Sequence, residues 1–217
     1  AVLKVLPVDD SGHLMLEKLD GILSDKTRIM AVTHISNVLG LVNPVREIIE
    51  ICHSRNVPVL VDGAQGAVHC KVDVRDLDCD FYVFSGHKLY AATGTGVLYG
   101  KRKWLDEMPP YMGGGEMVGT VSFDHTTYAP LPMKFEAGTQ NFASAATVKP
   151  AIELINLLND NELIKNYDMI RDYLLDRLSS DRRIRLYGVP SGTDDEKILL
   201  FSFTVEGVHH EDLALIL

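Results

Sequence analysis

Two short apolar runs, each followed at once by polar side chains, form the clearest pattern in the chain. Residues 57–61 read VPVLV and lead directly into Asp62, and residues 81–84 read FYVF and lead into SGHK at 85–88. Continuous apolar runs of this length predict strands buried on both faces of a parallel sheet. Open α/β sheets bind ligands at the carboxyl ends of their strands, so the pattern predicts one site that contains both polar segments.

Around these runs, strand-like and helix-like patterns alternate along the first half of the chain. Further strands are predicted at residues 2–8, 29–32 and 96–99. Helices are predicted at residues 14–23 and 102–107, and a short helical segment from Ala64. This alternation predicts an α/β fold with a mostly parallel sheet.

The helix that follows Asn43 and Pro44 has a clear amphipathic pattern. Asn43 is predicted to cap it and Pro44 to lie in its first turn. The apolar stripe consists of Val45, Ile48, Ile49 and Cys52. This spacing predicts that Cys52 faces the core, where a thiol is unreactive.

The second half of the chain begins with a long irregular stretch. Residues 109–140 are rich in Gly, Pro and Thr and predict a loop that is functional or packed on a partner. Helices are predicted at 145–158 and 161–178, followed by strands at 184–187 and 198–205, which begin a smaller α+β domain. The predicted inward positions of the two helices are Val148, Ala151, Ile152 and Ile155, then Leu163, Tyr167, Ile170 and Leu174.

Composition narrows the classes of function. The 217 residues carry 21 Lys and Arg against 30 Asp and Glu, a net charge of −9, which argues against nucleic acid because phosphate binding needs clustered basic residues. No apolar run is long enough to span a bilayer, so no membrane role is predicted. Three cysteines fit a reducing cytoplasm better than a disulfide framework.

The adjacent His209 and His210 predict no metal site, because neighbours on a helix point in different directions.

The residue types at the two strand ends suit an aldehyde cofactor. A lysine in a partly desolvated pocket can lose its proton and form a Schiff base. A carboxylate facing a pyridine nitrogen keeps it protonated, so that the ring withdraws electrons from a carbanion. Lys88 and Asp62 are the right pair of groups. Each also has an ordinary interpretation, since a lysine after a strand is usually solvated and Asp62 is equally suited to cap the next helix.

Five motifs in order carry a family resemblance. They are THISNVLG at 33–40, VDGAQ at 61–65, DFYVFSGHKLY at 80–90, PPYMGGGEM at 109–117 and FEAGT at 135–139. Together they resemble the signature blocks of class V pyridoxal-phosphate enzymes, and most closely those of the SUF-type (group II) cysteine desulfurases. The resemblance implies the fold type I architecture of aspartate aminotransferase-like transferases. Residues 1–143 would be part of the cofactor-binding large domain, 144–180 connecting helices, and 181–217 the beginning of a truncated C-terminal small domain.

The resemblance also implies roles around the ring of pyridoxal 5'-phosphate. Lys88 would form the Schiff base, and Asp62 would pair with the pyridine nitrogen. Gln65 would reach the phenolic oxygen of the cofactor, and Asn37 would lie near the same oxygen and the substrate. These are implications of the matched motifs and were not obtained from spacing.

The remaining implied contacts concern the phosphate of the cofactor. Ser85 and His87 would hold it within the same subunit. Thr139 would contact the phosphate of the neighbouring subunit's cofactor. The resemblance therefore implies a homodimer with a shared active site.

The implied activity of the parent protein is conversion of L-cysteine to L-alanine. Sulfur would stay on an enzyme cysteine as a persulfide and pass to an acceptor protein for iron–sulfur cluster assembly, with the Lys88 amine as general base at Cα. The family's nucleophilic cysteine and carboxylate-binding arginine would lie beyond Leu217. The chain is therefore interpreted as an internal fragment that does not turn over alone. Cys70 and Cys79 are poor candidates for the nucleophile, because a reactive thiol needs an accessible, electropositive setting.

Two alternatives stay open. Another class V enzyme, such as a selenocysteine lyase, a kynureninase or an aminotransferase, would use the same Lys88 and Asp62. The chain also departs from the family pattern, with AATG instead of GPTG at 91–94 and Gln140 instead of proline. A non-catalytic α/β dimerisation module would keep the fold without the chemistry.

The glycines of GTG at 94–96 predict close backbone approach and no phosphate cradle.

Overall fold

The computed structural model describes residues 1–160, 165–189 and 197–217. Its α-helices are α1 (Leu19–Ile22), α2 (Val45–Ser54), α3 (Gly66–His69), α4 (Val74–Leu77), α5 (Arg102–Glu107), α6 (Phe142–Ala145), α7 (Val148–Asp160), α8 (Lys165–Ser180) and α9 (His210–Ile216). Its strands are β1 (Met30–Thr33), β2 (Val59–Asp62), β3 (Phe81–Ser85), β4 (Gly96–Gly100), β5 (Val118–Val121), β6 (Thr126–Tyr128), β7 (Ile184–Tyr187) and β8 (Ser202–Val205). Short 3-10 helices occur at Leu16–Lys18, Gly86–Leu89 and Met133–Phe135.

The central sheet has the strand order β1-β2-β3-β4. β1 pairs with β2 and β2 with β3 in parallel, and β4 adds an antiparallel edge to β3. The prediction of an α/β fold with a mostly parallel sheet is confirmed. Because β1, β2 and β3 run in one direction, their carboxyl ends at Thr33, Asp62 and Ser85 lie along the same edge of the sheet.

The core lies between β2 and α2. Val59 and Val61 of β2 are fully buried, and the predicted stripe of α2 packs against the same cluster. Cys52 is 0% exposed, which confirms its predicted inward position. Burying a Val or Ile side chain contributes about 1.5–3 kcal/mol, so this cluster supplies much of the energy that holds the site-bearing sheet together.

The N-terminal segment differs from its prediction. In the described part of the chain, residues 2–8 join no sheet, and one isolated bridge links Val8 to Leu14. Val2 is 89% exposed. An apolar, β-branched run forms a strand only where another strand offers main-chain partners, and none of the described strands does so here. The helix predicted at 14–23 is also shorter, because residues 16–18 form a 3-10 turn before α1 and the backbone of Leu23 is already extended.

Asn43 does not cap α2. The helix begins at Val45 with Pro44 in the cap position, and Asn43 Nδ2 donates to the carbonyl oxygen of Thr33 at 2.8 Å. Its side chain therefore links the start of α2 to the end of β1. The sequence pattern did not predict this contact, because Thr33 is ten residues away along the chain.

The long loop predicted at 109–140 contains an antiparallel hairpin of β5 and β6. These strands are only four and three residues long and read VGTV and TTY, so they show no clear alternation. Thr120 and Thr127 hydrogen-bond across the hairpin through their hydroxyl groups at 2.9 Å. The hairpin presents Phe123 to solvent.

The described part of the last third of the chain contains α7, α8, the antiparallel strand pair β7–β8 and α9. Ala151 is buried as predicted, but Ile152 and Ile170 are exposed. The buried residue of α8 is Arg171, whose guanidinium donates to Asp168 and to the carbonyl of Lys197. Tyr167 and Leu174 are half-buried, so the inward face of α8 was predicted in part, and Arg171 was missed because apolarity alone does not reveal an internal ion pair. Leu163 lies outside the described residues.

No helix within the described ranges combines the length and the apolarity that crossing a membrane requires.

Candidate active site

The strand register brings the two polar segments to adjoining positions. Asp62 pairs with Thr33 on one side and with Val83 on the other, and Ser85 ends β3 two residues further on. Neighbouring strands lie about 4.8 Å apart, so Asp62 is about one strand spacing from Val83, and the segment that begins at Ser85 follows at the adjacent strand end. The predicted placement of both segments at one sheet edge is therefore observed.

The carboxylate of Asp62 is half-buried and oriented by the main chain. Its Oδ1 accepts a hydrogen bond from the Ala64 amide at 2.9 Å. The cap position of α3 belongs to Gln65, so Asp62 does not serve as the helix cap. Within the described residues Oδ2 accepts no hydrogen bond, which leaves it able to accept one from a ligand such as a protonated ring nitrogen.

Two aromatic side chains form a polar layer beside Asp62. His34 Nδ1 and the Tyr82 hydroxyl are 3.0 Å apart and buried. Burial lowers the pKa of His34 and raises that of Tyr82, so both are neutral at pH 7. A Cβ on Gly63 would lie 2.0 Å from the Tyr82 ring, and one on Gly66 2.4 Å from His34 Nδ1. These two glycines let the Asp62–Gln65 turn approach the pair closely.

The sequence did not predict that His34 packs with Tyr82 beside Asp62, although His34 lies within the THISNVLG motif. A histidine at the end of a buried strand carries no signal of its partner, since Tyr82 is 48 residues away. The signal in the sequence that could have indicated close packing here is the pair of glycines in VDGAQG, Gly63 and Gly66.

The segment that contains Lys88 forms a 3-10 turn, Gly86–Leu89, directly after β3. The Gly86 amide donates to the carbonyl of Thr95 at 2.9 Å, and Tyr90 ends the turn with a φ of 65°. A non-glycine residue in the left-handed region costs of order 1–3 kcal/mol and is typical of functional sites. The turn packs against α3 and α7, and Lys88 is half-buried while His87 is exposed.

Several polar side chains of the predicted site make no side-chain hydrogen bond or ion pair in the described part of the chain. Within the described residues, no side-chain hydrogen bond or ion pair is made by Asn37, Gln65, Ser85, His87, Lys88 or Thr139. By contrast, Ser36 Oγ accepts from the amides of Val38 and Leu39, as expected of a residue that only stabilises a turn. Five of them, Asn37, Gln65, Ser85, His87 and Lys88, lie at or shortly after the carboxyl ends of β1, β2 and β3, and such a group of polar side chains is suited to binding a polar ligand.

Asn37 and Thr139 lie in exposed loops. Asn37 follows the end of β1, at the same edge as Asp62, and Thr139 follows Gly138, whose φ is 76°. The Gly138 amide donates to the carbonyl of Gly115 at 2.9 Å, which joins the FEAGT and GGGEM motifs. The predicted contact of Thr139 with a neighbouring subunit's cofactor stays a prediction.

Two of the three cysteines, Cys52 and Cys79, are unsuited to supply a reactive thiol, whereas Cys70 is half-buried. Cys52 and Cys79 are fully buried, and burial raises the pKa of each to about 11. A thiolate is therefore disfavoured at both positions. Among the described residues, no group of three or more His, Cys, Asp or Glu side chains is arranged to hold a metal ion.

Comparison of the sequence with known proteins adds family information. The family model described as aminotransferase class-V matches residues 1–217. The chain is 44% identical over 211 residues to a cysteine desulfurase of Escherichia coli O127:H6, covering 97% of this chain and 50% of that protein. It is 42% identical over 217 residues to a probable cysteine desulfurase of Halalkalibacterium halodurans, covering 100% of this chain and 52% of the relative.

Solved structures give the same result. The crystal structure of the cysteine desulfurase CsdA (S-sulfonic acid) from Escherichia coli matches with a TM-score of 0.85 and 38% identity, covering 97% of this chain and 51% of that one. The apo cysteine desulfurase of Thermococcus onnurineus NA1 matches with a TM-score of 0.86 and 31% identity, covering 98% and 52%. The chain thus spans about half the length of the relatives it matches.

Proposed function

This chain belongs to the class-V aminotransferase family, and from that premise we propose that it forms the cofactor-holding part of a pyridoxal-phosphate-dependent cysteine desulfurase. The family is pyridoxal-phosphate-dependent. The protein that contains the chain would convert L-cysteine to L-alanine and transfer the sulfur to an enzyme cysteine as a persulfide. The names of the matched relatives support this activity over that of other class V enzymes.

One observation carries the proposal: the strand register that sets Asp62 beside the segment ending in Lys88. Parallel pairing of β2 with β3 puts an acid and an amine on neighbouring strand ends, where one ring can lie between them. A surface lysine and a helix-capping aspartate would have no reason to share this edge. The partner-free side chains around them support the same conclusion.

The residues present fit pyridoxal 5'-phosphate by their chemistry. Asp62 offers a carboxylate oxygen for a protonated ring nitrogen, and Gln65 and Asn37 offer amides for the phenolic oxygen. When bound, the cofactor supplies an aldehyde that bonds to amines and a ring that withdraws electrons from the adjacent carbon. The carboxylate of Asp62 would keep the proton on the ring nitrogen, because an adjacent negative charge favours the charged form.

Lys88 would have two tasks. Its amine would bond to the cofactor aldehyde and hold the cofactor in place. The same amine, when free, would act as general base and take the proton from substrate Cα. A half-buried position in a constrained turn suits both tasks, because it keeps the amine near the site and limits its contact with bulk water.

The phosphate would be held at the turn that follows β3. Ser85 offers a hydroxyl and His87 an imidazole, and both are partner-free within the described residues. Thr139 would complete the phosphate site of a second subunit, which makes the active protein a homodimer. Its exposed position supports a contact outside its own chain.

The proposal has further parts that concern the whole protein. The sulfur-accepting cysteine would come from outside this chain, as the family resemblance implies, and the burial and raised pKa values of Cys52 and Cys79 make these two thiols unsuited to that role. A sulfur-acceptor protein would then take the persulfide for iron–sulfur assembly in the cytoplasm. The division into a large domain to residue 143, connecting helices to 180 and a small domain from 181 belongs to the same proposal.

Turnover by the full-length protein tests the function. Alanine formation from L-cysteine should fall by at least about a thousandfold for Lys88→Ala, because both tasks of the amine are lost. Lys101→Ala, a lysine change at the opposite end of the sheet, should leave the rate within about twofold once stability is allowed for. Alanine formation that survives in Lys88→Ala would contradict the proposal.

A further inference from the structure

The loop that carries Asn37 is held by a distant segment of the chain. Residues 36–41 pack against residues 197–202, which directly precede and begin β8. An isolated antiparallel bridge joins Leu41 to Lys197, and the Ile198 amide donates to the carbonyl of Gly40 at 2.8 Å. The loop between β1 and α2 is therefore fixed partly by residues more than 150 positions away.

Lys197 makes the most unusual contact in this interface. It is 4% exposed, and its Nζ donates to the carbonyl oxygen of Leu39 at 2.6 Å. Nζ also lies 5.2 Å from the Phe201 ring. Burial lowers the pKa of Lys197 to about 8, so the ammonium form still predominates at pH 7. Burying a charge is costly unless it is well paired, and here the pairing is to the main chain of the Asn37 loop.

Ser202 makes a second contact of the same kind. Its hydroxyl donates to the carbonyl of Val38, the residue directly after Asn37. Two consecutive carbonyls, those of Val38 and Leu39, are thus each held by a side chain from residues 197–202. With these two peptide groups fixed, the direction in which the chain leaves Asn37 is fixed as well.

Two glycines make the close approach of the segments possible. Gly40 has a φ of 71°, and a Cβ there would lie 2.8 Å from the carbonyl oxygen of Leu200. A Cβ on Gly188, which follows β7, would lie 2.5 Å from the carbonyl oxygen of Leu39. The loop is consequently enclosed on both sides, and small residues occur where the backbones meet.

We propose that Lys197 and Ser202 are positioning residues, which hold the Ser36–Gly40 loop so that Asn37 faces the cofactor edge of the sheet. This inference rests on the proposed function, because it assigns to Asn37 a contact with the cofactor. It adds that residues 197–202, at the start of the predicted small domain, hold a loop of the cofactor site directly. A change in the packing of this segment would therefore be transmitted to Asn37.

The test combines hydrogen exchange with cofactor affinity, both measured on the full chain. Lys197→Met keeps the length of the side chain and removes the donor. Exchange at the amides of residues 38–40 should speed up by about tenfold, and the Kd for pyridoxal 5'-phosphate should rise by a similar factor, as expected for loss of one hydrogen bond from a charged donor. Lys197→Arg, which keeps a donor, should recover part of both effects.

Ser202→Ala is a second, milder test that keeps the protein folded if Lys197→Met does not. It should raise exchange at residues 38–40 in the same direction. Lys101→Met serves as the matched control, because Lys101 is a partly buried lysine bonded to Asp78 at the opposite end of the sheet. Both loop exchange and Kd should stay within about twofold in that variant.

The outcomes separate this inference from the proposed function. Unchanged exchange at residues 38–40 in both folded variants would overturn it, and so would faster exchange without any change in Kd. If the unaltered chain binds no pyridoxal 5'-phosphate, the proposed function fails and with it the role assigned to Asn37. The exchange measurement would then still decide whether Lys197 and Ser202 hold the loop.

Discussion

Two aspartates at opposite ends of the sheet show how a residue's partners separate structural from functional roles. Asp80 precedes β3 and is fully buried, and its oxygens accept from the Val59 amide, His53 Nε2 and Trp104 Nε1. Asp62 ends β2, is half-buried and accepts one main-chain bond. The first carboxylate is fully used in holding the fold, whereas the second has an oxygen that accepts no hydrogen bond from the described residues.

Asp80→Asn should destabilise the chain by about 3 kcal/mol at pH 6, because an amide cannot accept all three hydrogen bonds and leaves buried donors unpaired. Burial alone would raise the pKa of Asp80, but the bonds from Trp104, His53 and Val59 outweigh it and hold the pKa below its usual 3.8. The stability that this carboxylate provides is therefore complete above about pH 4 and is lost as the pH falls through its folded-state pKa. Urea unfolding at several pH values measures both effects.

Asp106→Asn provides the control for Asp80, since Asp106 is exposed on α5, the same helix as Trp104. Its effect should stay within about 0.5 kcal/mol. Equal losses in the two variants, or a gap between Asp80→Asn and the unaltered chain that grows toward acid pH, would show that the network around Asp80 does not have the assigned role.

At the scale of elements, the local pattern of apolar residues was sufficient to predict a helix or strand where its formation depends mainly on its own residues. β7 and α5 have the predicted bounds, and α2 buries the predicted stripe, because in each the apolar spacing matches one regular period. The segment 2–8 has the same local signal and forms no strand within the described structure, since pairing depends on a neighbour that the signal does not contain.

The candidate site could be predicted in part for the same reason. Asp62 and Lys88 follow buried strands, so position at a strand end was readable from the sequence. The support given by Tyr82 to His34 and by Lys197 to the Asn37 loop was not readable. Those contacts join residues 48 and 158 positions apart, and only the folded chain defines them.

The turn between β2 and α3 gives a test of close packing at the site. Gly66→Ala should destabilise the chain by about 1–3 kcal/mol, because the added methyl overlaps the buried His34–Tyr82 pair. It should also weaken binding of pyridoxal 5'-phosphate, since the displaced turn carries Asp62 and Gln65. Thermal unfolding and a binding titration measure the two effects.

Gly21→Ala is the matched change in a second short helix, α1, where a Cβ would have no atom within 4 Å. It should leave binding unchanged and stabilise the chain by up to about 1 kcal/mol through helix propensity. If both glycine variants behave alike, the close approach of the turn to His34 and Tyr82 is not important for the site.

At the scale of the whole molecule, the segment 111–142 is one of the regions that expose large apolar side chains. The most exposed are Tyr111, Val121, Phe123 and Phe142, with Phe123 at 110%. Exposed apolar groups of this size and number are typical of surfaces that bind another protein. The same segment carries Thr139, which the proposed homodimer places at a neighbouring subunit's site.

Phe123→Ser should therefore weaken self-association of the chain by about tenfold or more. It should not lower the melting temperature, because the Phe123 side chain is exposed to solvent in the isolated chain. Sedimentation equilibrium measures the dimer dissociation constant. Val97→Ser, an apolar change on the edge strand β4, should have a smaller effect. Unaltered association in Phe123→Ser would exclude the hairpin from the subunit interface.

The central claim is that Asp62 and Lys88 hold opposite parts of one pyridoxal ring. Borohydride reduction of the chain in the presence of pyridoxal 5'-phosphate, followed by peptide mass spectrometry, tests it most directly. The account predicts the cofactor mass on the peptide that contains Lys88, with labelling reduced in Asp62→Asn and absent in Lys88→Ala. Labelling spread over other lysines, or equal labelling in Asp62→Asn, would contradict it.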